Sequence, residues 1–404
     1  MTKNISFLNH DNCCGCRSCA DVCLRGAISY AMDQEGFFFP KIDESLCVQC
    51  GLCEKICPEF HVIKNAKVDT CYAAYAIDHE TRNSGSSGGV FGIIAKYVIE
   101  RGGHVYGAAF NEKLKVQHQV ATSEETLKPL YKSKYIQSDC SGIYNQVKKD
   151  IANGYLTLFC GTPCQCNALK NLIGKNSELL ILVDIVCHGV PSQKLFDQSI
   201  DWWERHHGAK VKSFDFRYKK NNISSPKEYI IKYVKNGNGF LQSGSYYQFP
   251  YYLGFQKYLI LRPSCYSCQW ASPDRCGDVT LGDFWGIDKF EPKLDARKGV
   301  SLIIPNTDKG HRLVVNTLLD NINVYHLEVP FDFAVANNGC LCYPTSMPID
   351  RSTFFDDLQN MPFDAVVKKY LKLDLKSKML LDIYYALPNV IKKILRVVLE
   401  KRMK

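Results

Sequence analysis

Four cysteines at C-x2-C-x2-C-x3-C spacing occur twice near the start of the sequence, as Cys13, Cys16, Cys19 and Cys23 and again as Cys47, Cys50, Cys53 and Cys57, each displaced by 34 residues. Three thiolates on so short a loop can reach three irons of a cubane, and in a two-cluster arrangement the fourth cysteine of each run ligates the other cluster. The spacing therefore assigns Cys13, Cys16, Cys19 and Cys57 to one 4Fe-4S cluster. Cys47, Cys50, Cys53 and Cys23 go to a second. Zinc is the weaker reading, because zinc motifs rarely place three thiols at this double spacing. Cys14 is left over and reads as a bystander.

A second constellation lies further on. Cys164 sits in FCGTPCQC, just beyond an expected strand and in the first turn of a helix begun by Pro163, and Cys187 ends the next strand in DIVCHG. Crevices in an open α/β sheet form outside the carboxyl ends of its strands, where both thiols fall. RPSCYSC adds Cys265 and Cys268 at the short spacing that ligates a metal from one loop, so Cys164, Cys187, Cys265 and Cys268 can close a third 4Fe-4S site. Cys160, Cys166 and Cys276 are rival ligands. A helix-activated redox thiol at Cys164 and a merely buried Cys187 are the alternatives.

A third candidate binds phosphate. SGSSGG at 84–89 opens the helical pattern VFGIIAKYVIE, so Ser86, Ser87, Gly88 and Gly89 would present backbone N–H groups and the positive helix end to a nucleotide phosphate. An ordinary N-cap would look the same. Lys132, Ser133, Lys134 and Tyr135 add cations and hydroxyl donors.

These residues need elements to position them. From residue 71 apolar runs alternate with helical patterns, in YAAYAI, GVFGIIAKYVIERG, HVYGAAF, IYNQVKKDIANG, YLTLFCG, PCQCNALKNLIG, ELLILVDIVCHG and QKLFDQSIDWWERHHG. That rhythm predicts an α/β sheet that is at least partly parallel. After 210 the short aromatic runs SFDFRY, EYIIKYV and DVTLGDFW point to β-rich or irregular structure. The expected fold class is α/β and α+β multidomain: a two-cluster ferredoxin-like domain at 1–62, a mixed α/β body at 70–210 and 211–345, and a helical basic tail at 346–404.

The 404 residues are 46% hydrophobic and 23% charged, which excludes disordered, collagen-like and coiled-coil chains. Twenty cysteines could instead mean a secreted disulfide scaffold, but no charged-then-apolar leader opens the sequence and no window approaches ~18 apolar residues. A reducing cytoplasm is expected, where dense cysteine reads as metal ligation. Charge is uneven. Residues 1–60 hold five Lys/Arg against eight Asp/Glu, and the remainder 45 against 33, so an acidic head joins a basic body. The basic residues are scattered and no nucleic-acid-binding module occurs, so no nucleic-acid partner is expected.

Taken in order, SGSSGGVFGIIAKYV, KSKYIQSD, FCGTPCQCNALKNL, DIVCHGVPS, RPSCYSCQW and DVTLGDFWGI resemble the coenzyme F-420 (deazaflavin) hydrogenase/dehydrogenase beta-subunit family, in its bacterial form with a fused N-terminal ferredoxin domain. The resemblance spans roughly residues 1–310 and implies an iron–sulfur oxidoreductase containing FAD, with the Cys164, Cys187, Cys265 and Cys268 cluster beside the flavin. It implies that Ser86, Ser87, Gly88, Gly89 and Lys132 to Tyr135 lie near FAD. It also implies a redox partner such as ferredoxin or a reductase. Bacterial members are similar to reading frames among polysaccharide-assembly genes, so the label does not fix a substrate. The extra thiols Cys160, Cys166 and Cys276 depart from the pattern.

A flavin joins one-electron to two-electron chemistry. The expectation is an enzyme passing electrons between the ferredoxin clusters and FAD, to or from a small organic or deazaflavin-like acceptor. Its rival is a non-catalytic electron-transfer subunit of a larger complex. No catalytic residue is assigned; His188, Tyr135 and Lys134 are candidate proton donors, with His188 read first as a loop hydrogen-bonder, and Asp283 and Trp285 either line the pocket or, by default, form a tight turn with a core aromatic. The segment NVIKKILRVVLEKRMK at 389–404 holds six Lys/Arg and one Glu, the pattern of an interfacial helix suited to peripheral membrane contact and a lipid-linked substrate, or of a docked helix with a solvated face.

Overall fold

A computed structural model describes residues 4–174, 177–219, 223–224, 227–373, 379–380 and 383. The cysteine-rich head carries one hairpin, β1 (Ile28–Met32) against β2 (Phe38–Ile42), paired antiparallel from Ile28↔Ile42. Its sequence repeat is also a backbone repeat. Gly15 and Gln49 take φ of 65° and 53°, Arg17 and Gly51 take 74° and 75°, and each run then enters a four-residue helix, Ser18–Asp21 or Leu52–Lys55. Such left-handed steps turn successive amides inward into an anion-binding concavity, the shape a thiolate-rich group needs.

The body is built on an eight-stranded sheet of β3 (Thr70–Ala76), β4 (His104–Phe110), β5 (Val116–Ala121), β6 (Thr157–Gly161), β7 (Leu180–Ile185), β11 (Val279–Asp283), β12 (Ser301–Pro305) and β13 (Val324–Pro330), in the order β13-β3-β12-β11-β7-β6-β4-β5. A three-stranded antiparallel sheet beside it holds β8 (Lys210–Asp215), β9 (Glu228–Lys235) and β10 (Asn238–Ser245). In the large sheet β4, β6, β7 and β11 are parallel, and β5, β12, β3 and β13 join antiparallel. The fold is thus a mixed α/β arrangement with a large mixed sheet and a ferredoxin-like iron–sulfur region before it. Strands from residues 70–210 and from 211–345 meet in that one sheet.

Helices α1 (Val90–Ile99), α2 (Ile143–Ala152) and α3 (Pro163–Ile173) supply the layers that cover it, while α4 (Gln193–His207) packs on the three-stranded sheet through Phe196 and Trp203. On one face Val90, Ile94, Ala95 and Val98 of α1 bury themselves on Val105, Leu158, Ile181 and Val183; on the other, Ala168 and Leu169 of α3 pack with Tyr106, Phe159 and Leu182. Each of the Val, Leu, Ile and Phe side chains so withdrawn from water is worth about 1.5–3 kcal/mol. Helix α3 starts where it does because Pro163 occupies its first position and Gln165 Oε1 accepts from the Thr162 N–H at 3.0 Å, half of a capping box. That start fixes Cys164 at the carboxyl end of β6.

The head is seated on the body by buried polar contacts. Tyr144 Oη donates to Cys16 O at 2.9 Å, Asn167 Nδ2 to His61 O at 2.9 Å, and the Ile63 N–H to Asn167 Oδ1 at 2.7 Å. Arg351 grips Glu35 through two oxygens at 2.5 and 3.0 Å. The basic segment 389–404 lies outside the described residues. Among those described, no helix is long and apolar enough to cross a membrane.

Candidate cluster sites and cofactor cavity

The inner head group is compact. Burial raises the thiols of Cys13, Cys19 and Cys57, and the charges of Cys13, Cys16, Cys19 and Cys57 act on one another in every pairing. All four are buried, and Cys57 is pushed up to about 12. Cys16 is drawn down to about 7 by hydrogen bonds from Cys14 and Ser18. The outer group is open to solvent, with Cys50 exposed, Cys23 and Cys47 partly so and Cys53 buried. The Ala27 N–H donates to Cys23 Sγ at 3.3 Å, and Asn4 Nδ2 approaches Cys47 Sγ at 3.7 Å. One group therefore faces the body and the other the outside.

The structure brings Cys164, Cys187, Cys265 and Cys268 together from three loops at the carboxyl ends of β6 and β7, again with every pair in electrostatic contact. Burial first, and the neighbouring thiols next, hold Cys265 at about 12 and Cys268 at about 11. Backbone amides point at each sulfur: Gln165 at Cys164, Gly189 at Cys187, Val190 at Cys265, and Trp270 and Ala271 at Cys268. N–H groups so placed favour thiolate over thiol and tune any cluster held there. Gly189 (φ 120°) is required for the approach, since a Cβ on it would stand 2.7 Å from Leu261 Cδ1 and 3.1 Å from Cys265 Cβ.

The rival thiols belong elsewhere. Cys276 Sγ donates to Pro163 O at 3.2 Å and Cys166 Sγ to Val183 O at 3.6 Å, both in the packed layer behind the loops. Cys160 lines the cavity described below, and burial pushes it up to about 12. Among the described residues no His, Cys, Asp or Glu group is drawn in tightly enough for a single ion. A cubane needs a wider frame, each thiolate on its own iron, and both the buried head quartet and the half-buried body quartet have the ligand chemistry for it.

Cys14, left over by the spacing, lies where the inner head group and the body quartet meet: its thiol feels those of both Cys16 and Cys164. The sequence signal available for this was its place beside Cys13, which does not reveal the facing loop.

A cavity of about 480 Å³ lies over the carboxyl ends of β6, β7 and β11. Cys14, Cys164 and Cys187 border it on one side, and Ser86, Ser87 and Gly89 on another, with Lys132, Ser133, Lys134 and Tyr135 also in its wall. Gly88 stands behind the wall, its N–H donating to Ser301 Oγ at 2.9 Å. The N-cap of α1 is Gly89, which offers no side chain to the first turn, and the Gly92 N–H donates back to Gly89 O at 3.1 Å. A helix start without a side-chain cap is in line with the phosphate reading. The two lysines are less available than their sequence suggests, because Lys132 Nζ pairs with Asp215 at 2.5 Å and Lys134 Nζ donates to Pro129 O and Tyr131 O, both at 2.7 Å. Burial lowers Lys134 to about 7. A second cavity of about 830 Å³ shares Ser84, Tyr131, Lys132, Ser133 and Lys134 with the first.

Asp283 does more than turn the chain. It receives both outer nitrogens of the buried Arg217 at 2.8 and 3.0 Å, while Arg217 also reaches Ser86 O at 2.7 Å and Tyr135 Oη at 3.2 Å. His188 lines the cavity too; Thr345 Oγ1 binds its backbone oxygen at 2.9 Å, and burial lowers its ring's pKa.

Residues 12–60 match the 4Fe-4S dicluster domain, and residues 156–324 match the family model described as the C terminus of the coenzyme F420 hydrogenase/dehydrogenase beta subunit. Among solved structures, a chain of the F420-reducing NiFe hydrogenase complex from Methanosarcina barkeri is similar at 16% identity and a TM-score of 0.44, covering 69% of this chain and 90% of that one. No curated protein matches the chain.

Proposed function

We propose that this chain is a flavin-dependent iron–sulfur oxidoreductase, a reading supported by the match of residues 12–60 to the 4Fe-4S dicluster domain and of residues 156–324 to the C terminus of the coenzyme F420 hydrogenase/dehydrogenase beta subunit. Cys23, Cys47, Cys50 and Cys53 would hold the outer cluster, Cys13, Cys16, Cys19 and Cys57 the inner one, and Cys164, Cys187, Cys265 and Cys268 a third. Ser86, Ser87 and Gly89 at the start of α1 would take the FAD phosphates. Clusters carry single electrons, and a flavin exchanges one or two with an organic partner.

The observation that carries the reading is the single cavity bordered by Cys14, Cys164 and Cys187 and by Ser86, Ser87 and Gly89. The exposed Cys50 lets a soluble redox partner such as ferredoxin meet the outer group, while the buried inner quartet keeps water from the middle of the path. Arg217, Asp283 and Tyr135 orient what enters the cavity, and the phenol of Tyr135, raised by burial, stays protonated at neutral pH. A small organic acceptor fits the cavity's size range; a lipid-linked one, with peripheral membrane contact, rests on the 389–404 sequence pattern.

Anaerobic purification with iron, sulfide and flavin analysis tests this. The expected result is about twelve irons and one FAD per chain, falling to about eight irons with FAD retained in C187S/C265S. Wild-type protein without flavin, or with about eight irons, contradicts it.

A further inference from the structure

Arg262 is fully buried between head and body, and no carboxylate pairs with it among the described residues. Its Nε donates to Cys13 O at 2.5 Å, one terminal nitrogen to Gln137 Oε1 at 3.1 Å and the other to Phe38 O at 3.0 Å, while the guanidinium lies over the Phe39 ring at 4.2 Å. Every partner is neutral. A buried cation so placed is costly unless a counter-anion stands near. What it meets on either side are ligand residues: its side chain holds the backbone of Cys13 on the head side, and Cys265 of the body lies three residues along its own loop. Its own backbone belongs to the ligand loop, since Arg262 O accepts from the Cys265 N–H at 2.9 Å.

The two head repeats differ in a way that fits this. Gly15 of the first repeat corresponds to the exposed Gln49 of the second, both at positive φ. A Cβ on Gly15 would come within 2.7 Å of an Arg262 terminal nitrogen and of Gln137 Nε2, so glycine is needed only where the repeat faces Arg262.

We infer that Arg262 is the shared counter-cation of the inner head cluster and the body cluster, a positioning residue that locks the two at fixed separation and raises the reduction potential of both. This rests on the three-cluster reading above. In a 4Fe-4S group four thiolates outweigh the positive charge of the core, so each cluster is a net anion and gains a further negative charge on reduction. A fixed cation beside it favours the reduced form. The outer group of Cys23, Cys47, Cys50 and Cys53, on the far side of the head, is the internal reference.

The test is an EPR-monitored redox titration of the iron-loaded full-length protein, wild type against R262Q and R262K. Loss of the charge in R262Q is expected to shift the reduced-to-oxidised ratio of two clusters about tenfold, about 59 mV lower for one electron, while the third stays in place. R262K, which keeps the charge, should hold both potentials within a fraction of that. The inference is overturned if R262Q moves no potential, if all three move alike, or if neither variant holds the iron that wild type holds, which would make Arg262 a folding residue. Wild-type protein that binds no iron would instead defeat the cluster reading itself.

Discussion

Replacing Arg275 by Met removes one half of a buried ion pair directly behind the body quartet. Asp184 is wholly buried and receives the Arg275 terminal nitrogen at 2.8 Å, its Nε at 3.3 Å, Thr280 Oγ1 at 2.7 Å and the Gly277 N–H at 2.8 Å. Arg275 also donates to Trp270 O at 3.0 Å and Ile185 O at 2.9 Å, so it binds the Cys268 loop to the strand that leads to Cys187. Breaking a buried pair from one side costs about 3–5 kcal/mol, because the remaining charge is stranded. With an m-value of about 3 kcal/mol/M in urea, R275M should unfold at a midpoint about 1.3 M below wild type. The partner variant D184L/R275M, which removes both charges, should recover most of that loss. Urea titrations of the three proteins followed by circular dichroism measure it. A midpoint for R275M within about 0.3 M of wild type, or a double variant no better than the single one, would mean that Asp184 is not stranded by loss of Arg275.

Three further outcomes are expected. Glu35→Ala leaves the buried Arg351 without its carboxylate and should weaken the seat of the head by about 1–3 kcal/mol, seen as faster proteolytic cutting between residues 61 and 70. Gly189→Ala should lose about four of about twelve irons, measured by iron analysis, because its Cβ would press on Leu261 and Cys265. His118, held near pKa 4 by burial against an ordinary 6.5, makes the unfolded chain bind the extra proton on acidification. Stability should therefore fall from about pH 6.5 to about pH 4, and His118→Gln should flatten that part of the profile, read by denaturant midpoints at each pH.

The alternation from Val90 to His207 was legible in the sequence because each helix there buries one stripe and each central strand is continuously apolar, patterns that survive without tertiary knowledge. The head was legible for a different reason: its repeat of 34 residues is carried by the cysteines and by the backbone turns at Arg17 and Gly51 alike. Strands β12 and β13 were not legible. Both reach β3 by non-local pairing, Ser301↔Ala74 and Val324↔Ala76, and β13 alternates burial in a way that several loops imitate. Spacing alone left Cys160, Cys166 and Cys276 competing with the body quartet; what separates them is which way each sulfur points across loops far apart in the chain. Cys14, Arg217 and Arg262 drew no functional reading because their roles depend on what faces them across a tertiary contact.

On the function proposed above, electrons reach the cavity through the body quartet. Stopped-flow reduction of the FAD-loaded protein by a reduced ferredoxin, comparing wild type with C187S/C265S, measures that path. Rapid flavin reduction is expected in wild type, with a loss of at least about tenfold in the variant with FAD still bound. Equal rates in the two proteins would place the body quartet off the electron path.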